Sequence, residues 1–315
     1  MLDDLLATLR VITIPTRTNF RGVTYREVAL IQGPQGWGEF SPFLEYDDNE
    51  CAPWLASAIE SATVARPERF RNEIAVNGTI PELNDKKEIE SLMRTFSSAK
   101  TFKVKVGNNL VEDVIRVARV FSNAPKAAIR IDVNGLWSVD EALTHLYAYY
   151  EEIGPFQYVE QPCATVEELR ELKRKIKIPL RIAADEVIRK ASDPFAVDLT
   201  DAADVVMLKV QPLGGIQRCL DIANHHGLPV VVSSALESAI GIEYGLDLAA
   251  SISDLTFDCG LATGSLLASD VAAHEISDGK ITLGQISPKL DGLDVSPERY
   301  EWWKNRIMRV GALLK

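Results

Sequence analysis

Phe102-Lys103-Val104-Lys105-Val106-Gly107 is the stretch on which the reading of this chain turns. As a strand it places Lys103 and Lys105 on one face and Phe102, Val104 and Val106 on the other. Lysine is rarely buried without a partner, so two of them on the inward face of an apolar strand point to function over packing. Five more short apolar runs carry a polar residue at or just past the same end: Asp132, Glu160, Asp185, Lys209 and Ser233. From Lys105 onward these positions are separated by 27, 28, 25, 24 and 24 residues. That interval accommodates one strand, one helix and two loops of a repeating βα unit.

Working outward, apolar runs at 74–76, 102–106, 129–133, 157–160, 180–184, 205–210, 229–232 and 257–261 read as eight strands. Stretches 112–121, 139–150, 166–173 and 215–225 between them have helical periodicity. Continuous apolar strands alternating with helices predict a parallel sheet covered on both faces. The expected fold is α/β, a modified TIM-type (β/α)7β barrel over residues 73–279. Residues 1–72 read differently. A strand, turn, strand pattern spans 11–43, broken at Gly33-Pro34, and a helix over 49–64 ends at Arg66-Pro67, so an α+β capping domain is expected there. Tyr300, Trp302, Trp303 and Ile307 suit a tail, 280–315, that packs back on this domain.

The chain has 315 residues, 46% of them apolar and 25% charged, enough for a sizeable core. A formal charge of -11 without a dense basic segment argues against nucleic acid or an anionic membrane as partner, and leaves a small anionic carboxylate substrate open. Cys51, Cys163, Cys219 and Cys259 are widely spaced, which suits reduced thiols and neither zinc nor a redox dithiol. The acidic start, with no long apolar stretch after it, resembles neither a signal peptide nor an anchor, and a cytoplasmic protein is expected.

In a β/α barrel the C-terminal strand ends carry the active site. Asp132, Glu160 and Asp185 there offer the hard oxygen ligands that magnesium prefers, with manganese a substitute, and no histidine or cysteine beside them suggests a softer metal. Asn134 and Glu186 are placed to orient ligands or a lysine, or to cap a loop. In the Lys103–Lys105 pair each ammonium makes the other harder to charge, which moves a lysine toward the range of a general base. Lys209, on the sixth strand, stands across the ring. Gly214-Gly215 could place an anion at a helix N-terminus or simply form a tight turn. Asn77-Gly78-Thr79 reads as a turn, and His145, His225 and His226 fall in helices away from the ring.

The runs Phe102 to Gly107, Asp132-Val133-Asn134, Val159-Glu160-Gln161-Pro162, Ala184-Asp185-Glu186 and Leu208-Lys209 together resemble the enolase superfamily, and within it the muconate-lactonizing-enzyme-like group. Phe20-Arg21-Gly22, the segment from Gly36 to Pro42 and Ser233 to Ser238 extend the resemblance over nearly the whole chain. It implies that Asp132, Glu160 and Asp185 ligate magnesium and that Lys105 is the base, assisted by Lys103. Lys209 would stabilise the enediolate from the opposite face. Ser233 and Gly260 would touch a succinyl arm, over which the loop at Phe20 and Arg21 would close. The implied reaction is syn dehydration of a succinyl-bearing hydroxycyclohexadiene carboxylate to an aromatic product in menaquinone biosynthesis. Racemisation of N-succinylamino acids or dipeptide epimerisation by the same two lysines is a second reading. A noncatalytic anion-binding barrel is a third.

Overall fold

Seven strands run parallel, each hydrogen-bonded to the next in chain order: Gly78–Ile80, Thr101–Lys105, Ala128–Asp132, Tyr158–Glu160, Ile182–Ala184, Val205–Lys209 and Val230–Ser233. They are seen in a computed structural model that describes residues 2–20, 22–96, 98–107 and 109–314. An eighth, irregular stave at 257–261 closes the curled sheet. Cys259 forms a parallel bridge to Val76 and Gly260 one to Ser233. The Gly260 N–H donates to Val232 O at 2.8 Å, and the Asn77 N–H to Cys259 O at 2.9 Å. This is the (β/α)7β barrel that the spacing predicts.

Period-two alternation sorts every strand into two faces. Phe102, Val104, Ile129, Ile131, Val159, Ile182, Val206, Leu208, Val230 and Val232 pack outward into one core with the surrounding helices. Tyr158, Ala183, Val205, Met207 and Val231 form a smaller cluster with Phe257. Below the mouth, Arg130 is fully buried and donates to Asn77 Oδ1, the Asp258 carbonyl and Gln157 Oε1 at 2.8, 2.8 and 2.6 Å. Its guanidinium lies 4.9 Å from the Tyr158 ring centroid, so the barrel floor is a packed plug.

Two expectations are corrected at the start of the barrel. The run 74–76, expected as the first barrel strand, falls mostly in Glu73–Ala75, which pairs antiparallel with Lys280–Thr282 in a separate three-stranded sheet. The first barrel strand instead includes Gly78 and Thr79, which the composition of Asn77-Gly78-Thr79 had marked as a turn. Packing decides the matter: a Cβ at Gly78 would lie 2.6 Å from the Phe102 ring and 2.8 Å from the Phe96 ring. Glycine here serves close approach, and only the tertiary neighbours reveal that.

Helix starts follow local signals. Ser138 with Glu141 and Thr165 with Glu168 form complete capping boxes at Val139–Ile153 and Val166–Lys175. Arg10–Phe20, Val23–Gly33 and Gly36–Phe40 form an antiparallel sheet against the helix Asp48–Thr63. The last helix, Pro297–Leu313, sets Trp303 edge-on to Phe40 at 5.8 Å, and the indole N–H donates to Glu27 at 2.7 Å. Among the described residues no helix is long and apolar enough to cross a membrane.

The N-terminal layer is joined to the barrel by carboxylates set at helix N-termini. Glu60 Oε1 accepts from the Ile216 N–H at 2.6 Å, at the start of Ile216–His226, and from the Tyr244 hydroxyl at 2.5 Å. The anion at Gly214-Gly215 is therefore the chain's own glutamate, and a Cβ at Gly215 would lie 2.5 Å from it. Glu39 in turn accepts from the Ser238 hydroxyl at 2.5 Å and the Gly241 N–H at 2.9 Å, at the start of Ala239–Ala250.

Beside Glu39, the buried carboxyl of Glu237 is pushed up to about 7, by burial first and then by the charge of Glu39. The folded state then binds more protons than the unfolded chain between about pH 4.3 and 7, so this group's contribution to stability falls as pH rises through that window. Glu237→Gln keeps an oxygen to accept the Ala235 N–H and removes the penalty. Thermal unfolding at pH 8 should show stabilisation of up to ~3 kcal/mol, and at pH 4 none. An unchanged midpoint at pH 8 would contradict this account.

Candidate active site

Parallel register builds the ring at the barrel mouth. Lys105 pairs with Asp132, Asp132 with Glu160, and Lys209 with Ser233 across adjacent strands. Asp185 follows Ile182–Ala184 in the inward phase of Ala183. The three lysines and three acids are all buried. Lys103 Nζ lies 2.9 Å from Asp132 Oδ2 and 3.1 Å from Glu160 Oε2. Lys105 Nζ is 2.6 Å from the same Asp132 oxygen and donates to Asn134 Oδ1 at 2.7 Å. Lys209 Nζ is 2.5 Å from Asp185 Oδ2 and 4.0 Å from Glu160 Oε1.

The two lysines of the pair diverge in basicity. Burial pulls Lys103 down, but Asp132 and Glu160 more than offset it and hold it well above the ordinary lysine value. Burial also pulls Lys105 down. Asp132 opposes this, the charges of Lys103 and Lys209 reinforce it, and the net shift is downward. The expectation that each lysine of the pair lowers the other is therefore met at Lys105 alone, because Lys103 sits between two carboxylates. Burial raises Asp132, yet Lys103 and Lys105 outweigh it and hold that acid far below the carboxylate range. Glu160 is pushed up to about 7 by burial and then by the charge of Asp132.

Asp132 Oδ1 and Asp185 Oδ1 are buried without a hydrogen bond. These oxygens, with Glu160, make a hard donor set suited by chemistry to a divalent cation. As the side chains stand, Lys103 lies between Asp132 and Glu160. Among the described residues no three His, Cys, Asp or Glu side chains are grouped as a ready-made ion cage.

Phe20, Ser233 and Gly260 line the cleft above the ring, together with Tyr46 and Trp54 of the N-terminal layer. The Phe20 ring centroid is 5.8 Å from Lys105 Nζ. Arg21 lies outside the described residues. The free volume is about 30 Å³, room for about one water molecule, so a substrate enters only if lining side chains move. Asn134 and Glu186 both reach the ring: Asn134 Nδ2 donates to Glu186 Oε1 at 3.1 Å.

Over 320 aligned residues the chain is 48% identical to the o-succinylbenzoate synthase of Mycobacterium ulcerans (strain Agy99), covering 99% of this chain and 96% of that one. It is 47% identical to that of Mycobacterium tuberculosis (strain ATCC 25618 / H37Rv), with the same coverage. Residues 87–298 match the enolase C-terminal domain-like family and residues 11–62 the enolase N-terminal domain-like family. The chain belongs to the o-succinylbenzoate synthase family of the enolase superfamily. Its fold is similar to that of the L-Ala-D/L-Glu epimerase from Bacillus subtilis, with a TM-score of 0.75, 21% identity, and coverage of 91% of this chain and 98% of that one. It is also similar to the muconate lactonizing enzyme from Pseudomonas putida, with a TM-score of 0.70, 19% identity, and coverage of 93% and 97%.

In this member of the o-succinylbenzoate synthase family, two residues that the spacing argument passed over reach the ring. Arg189, four positions after Asp185, lines the cleft; its i,i+4 and i,i+3 relation to Asp185 and Glu186 was the available signal. Gln161, fully buried, adopts φ 40°, a left-handed conformation uncommon outside glycine. Its Oε1 accepts from the Asp185 and Val187 N–H groups at 2.9 and 3.2 Å, which fixes the turn that presents Asp185 and Glu186. No local pattern marks such a contact, since it crosses two strands. Gln161→Ala strips both buried N–H groups of their acceptor and should lower the free energy of urea unfolding by about 2–3 kcal/mol. Stability within about 0.5 kcal/mol of wild type would show the turn to be held by other contacts.

Proposed function

We propose that this chain catalyses the reaction of its family, dehydration of 2-succinyl-6-hydroxy-2,4-cyclohexadiene-1-carboxylate to 2-succinylbenzoate and water, a hydro-lyase step of menaquinone biosynthesis. The observation that carries the reading is a pair of buried ammonium groups, Lys105 and Lys209, on strands opposite one another around a cleft, each ion-paired to a carboxylate of the ring. Two cations facing each other across a small cleft suit a planar dianion between them, which is what a carboxylate becomes when its α-proton leaves.

Magnesium fits the donor set, manganese being an alternative of like chemistry; Asp132, Glu160 and Asp185 would hold it, and when bound it supplies positive charge beside the substrate carboxylate. The rest of the chemistry belongs to the side chains. Lys105, its basicity lowered, takes the α-proton as a neutral amine. Lys103, held charged, keeps Asp132 ionised, opposes the upward shift of Glu160 and makes the neighbouring Lys105 easier to deprotonate. Lys209 faces the opposite side of the dianion as a fixed cation. Lys105 then returns its proton to the β-hydroxyl on the same face. The C–O bond breaks, water leaves and the ring becomes aromatic. Ser233 and Gly260, at the far side of the cleft, suit contact with the succinyl arm, and Phe20 shields Lys105 from water.

Lys105→Ala and Lys209→Ala should each reduce turnover of the cyclohexadiene substrate by at least about 10³-fold, and a chelator should reduce it reversibly. Full turnover in both variants would end the assignment of these lysines and leave an anion-binding barrel. Incubating the wild-type protein with N-succinyl amino acids in heavy water tests the racemase reading. Fast α-deuteration with little dehydration of the cyclohexadiene would favour that rival.

A further inference from the structure

The unit after the fifth barrel strand departs from its neighbours. Its helix, Glu186–Arg189, is four residues long, where those after the second, third and fourth barrel strands have 14, 15 and 10. One turn covers little of a sheet. It does bring Arg189 onto the face of Asp185 and Glu186. The Arg189 side chain is 5% exposed and lines the cleft together with both Lys105 and Lys209. Its Nη2 donates to Glu186 Oε1 at 2.7 Å, and its Nε lies 3.3 Å from Asp185 Oδ1.

Each acid hands that contact on. Glu186 Oε1 accepts from Asn134 Nδ2 at 3.1 Å, and Asn134 Oδ1 accepts from Lys105 Nζ at 2.7 Å. Asp185 Oδ2 takes Lys209 Nζ at 2.5 Å. One guanidinium thus stands in the middle of a polar chain whose two ends are the ammonium groups facing each other across the cleft.

We propose that Arg189 is a positioning residue that sets the placement of Lys105 and Lys209 across the cleft. The proposal rests on the roles given to those two lysines above and adds how they are held. Arg189 Nη2 donates to Glu186 Oε1 and so holds that carboxyl group in one orientation. Glu186 Oε1, placed there, accepts from the Nδ2 end of Asn134 and leaves Oδ1 turned toward Lys105. Without Arg189 that orientation is no longer enforced, and Asp185, which retains Lys209, loses the cation beside its other oxygen. A packing role alone would not need a planar fork that donates to Glu186 and lies 3.3 Å from Asp185. Lysine, a point charge on a flexible stem, cannot reproduce that fork.

The test uses the full-length protein with magnesium and the cyclohexadiene substrate. Arg189→Met should lower kcat by about 10²-fold, as expected for a displacement of the reacting groups on the order of 1 Å, with KM changed by less than about threefold. Arg189→Lys should remain impaired, and added guanidinium ion should restore part of the activity of Arg189→Ala without stimulating the wild type. In a double-mutant cycle Arg189→Met and Asn134→Ala should be strongly non-additive, since both cut one chain. Far-ultraviolet circular dichroism checks folding. Should Arg189→Met not fold, Glu186→Ala, which removes the link between Arg189 and Asn134, must show the same kcat loss and the same non-additivity. An active wild type with kcat of the variant within about twofold, a loss confined to KM, or additive losses with Asn134→Ala would overturn the positioning role and leave the functional reading intact. An inactive wild type would overturn the functional reading, and this inference with it.

Discussion

Three ammonium groups and three carboxylates lie together in the mouth of a barrel where none of them is well hydrated, and their mutual attraction is the constraint on which the site depends. Any one of them, taken alone, would cost several kcal/mol to bury as an ion. Interleaved, each lysine has an acid within 2.9 Å, and removal of one member strands its partners. The interlock also differentiates its members. Lys103, between two acids, is a fixed charge, whereas Lys105, bordered by two other cations, gives up its proton more easily than Lys103.

The same economy of charge joins the N-terminal layer to the barrel. Helix N-termini at the C-terminal face of a β/α barrel are common sites for bound anions. Here the helices Ile216–His226 and Ala239–Ala250 meet Glu60 and Glu39 of the chain itself. These carboxylates anchor the layer whose Phe20, Tyr46 and Trp54 form the roof of the cleft. The roof and the floor of the site are therefore positioned by one kind of interaction, a buried carboxylate facing concentrated positive charge.

Much of this was legible beforehand because two periods, two residues for a strand and about 25 for a βα unit, are properties of the backbone and leave their mark in any sequence that satisfies them. Lys105, Asp132, Glu160, Asp185, Lys209 and Ser233 were found that way, and they converge. The first barrel strand was misplaced because the composition of Asn77-Gly78-Thr79 is that of a turn, and only the rings of Phe96 and Phe102 explain why glycine stands in a strand. Gly214-Gly215 was legible as a helix start, but its anion came from residue 60. The side-chain contacts of Gln161 and the chain from Arg189 to Lys105 involve residues dozens of positions apart, and no local pattern encodes them.

The sequence by itself determined the barrel, the inward phase of each polar residue and the chemical type of the ring, since these follow from alternation and from which side chains can carry charge. Tertiary structure alone decided which lysine is made less basic, which carboxylates cap which helices and which arginine holds the ring in register. Those outcomes depend on burial and on distances of about 3 Å between groups far apart in the chain, over which Coulomb energy changes steeply with position.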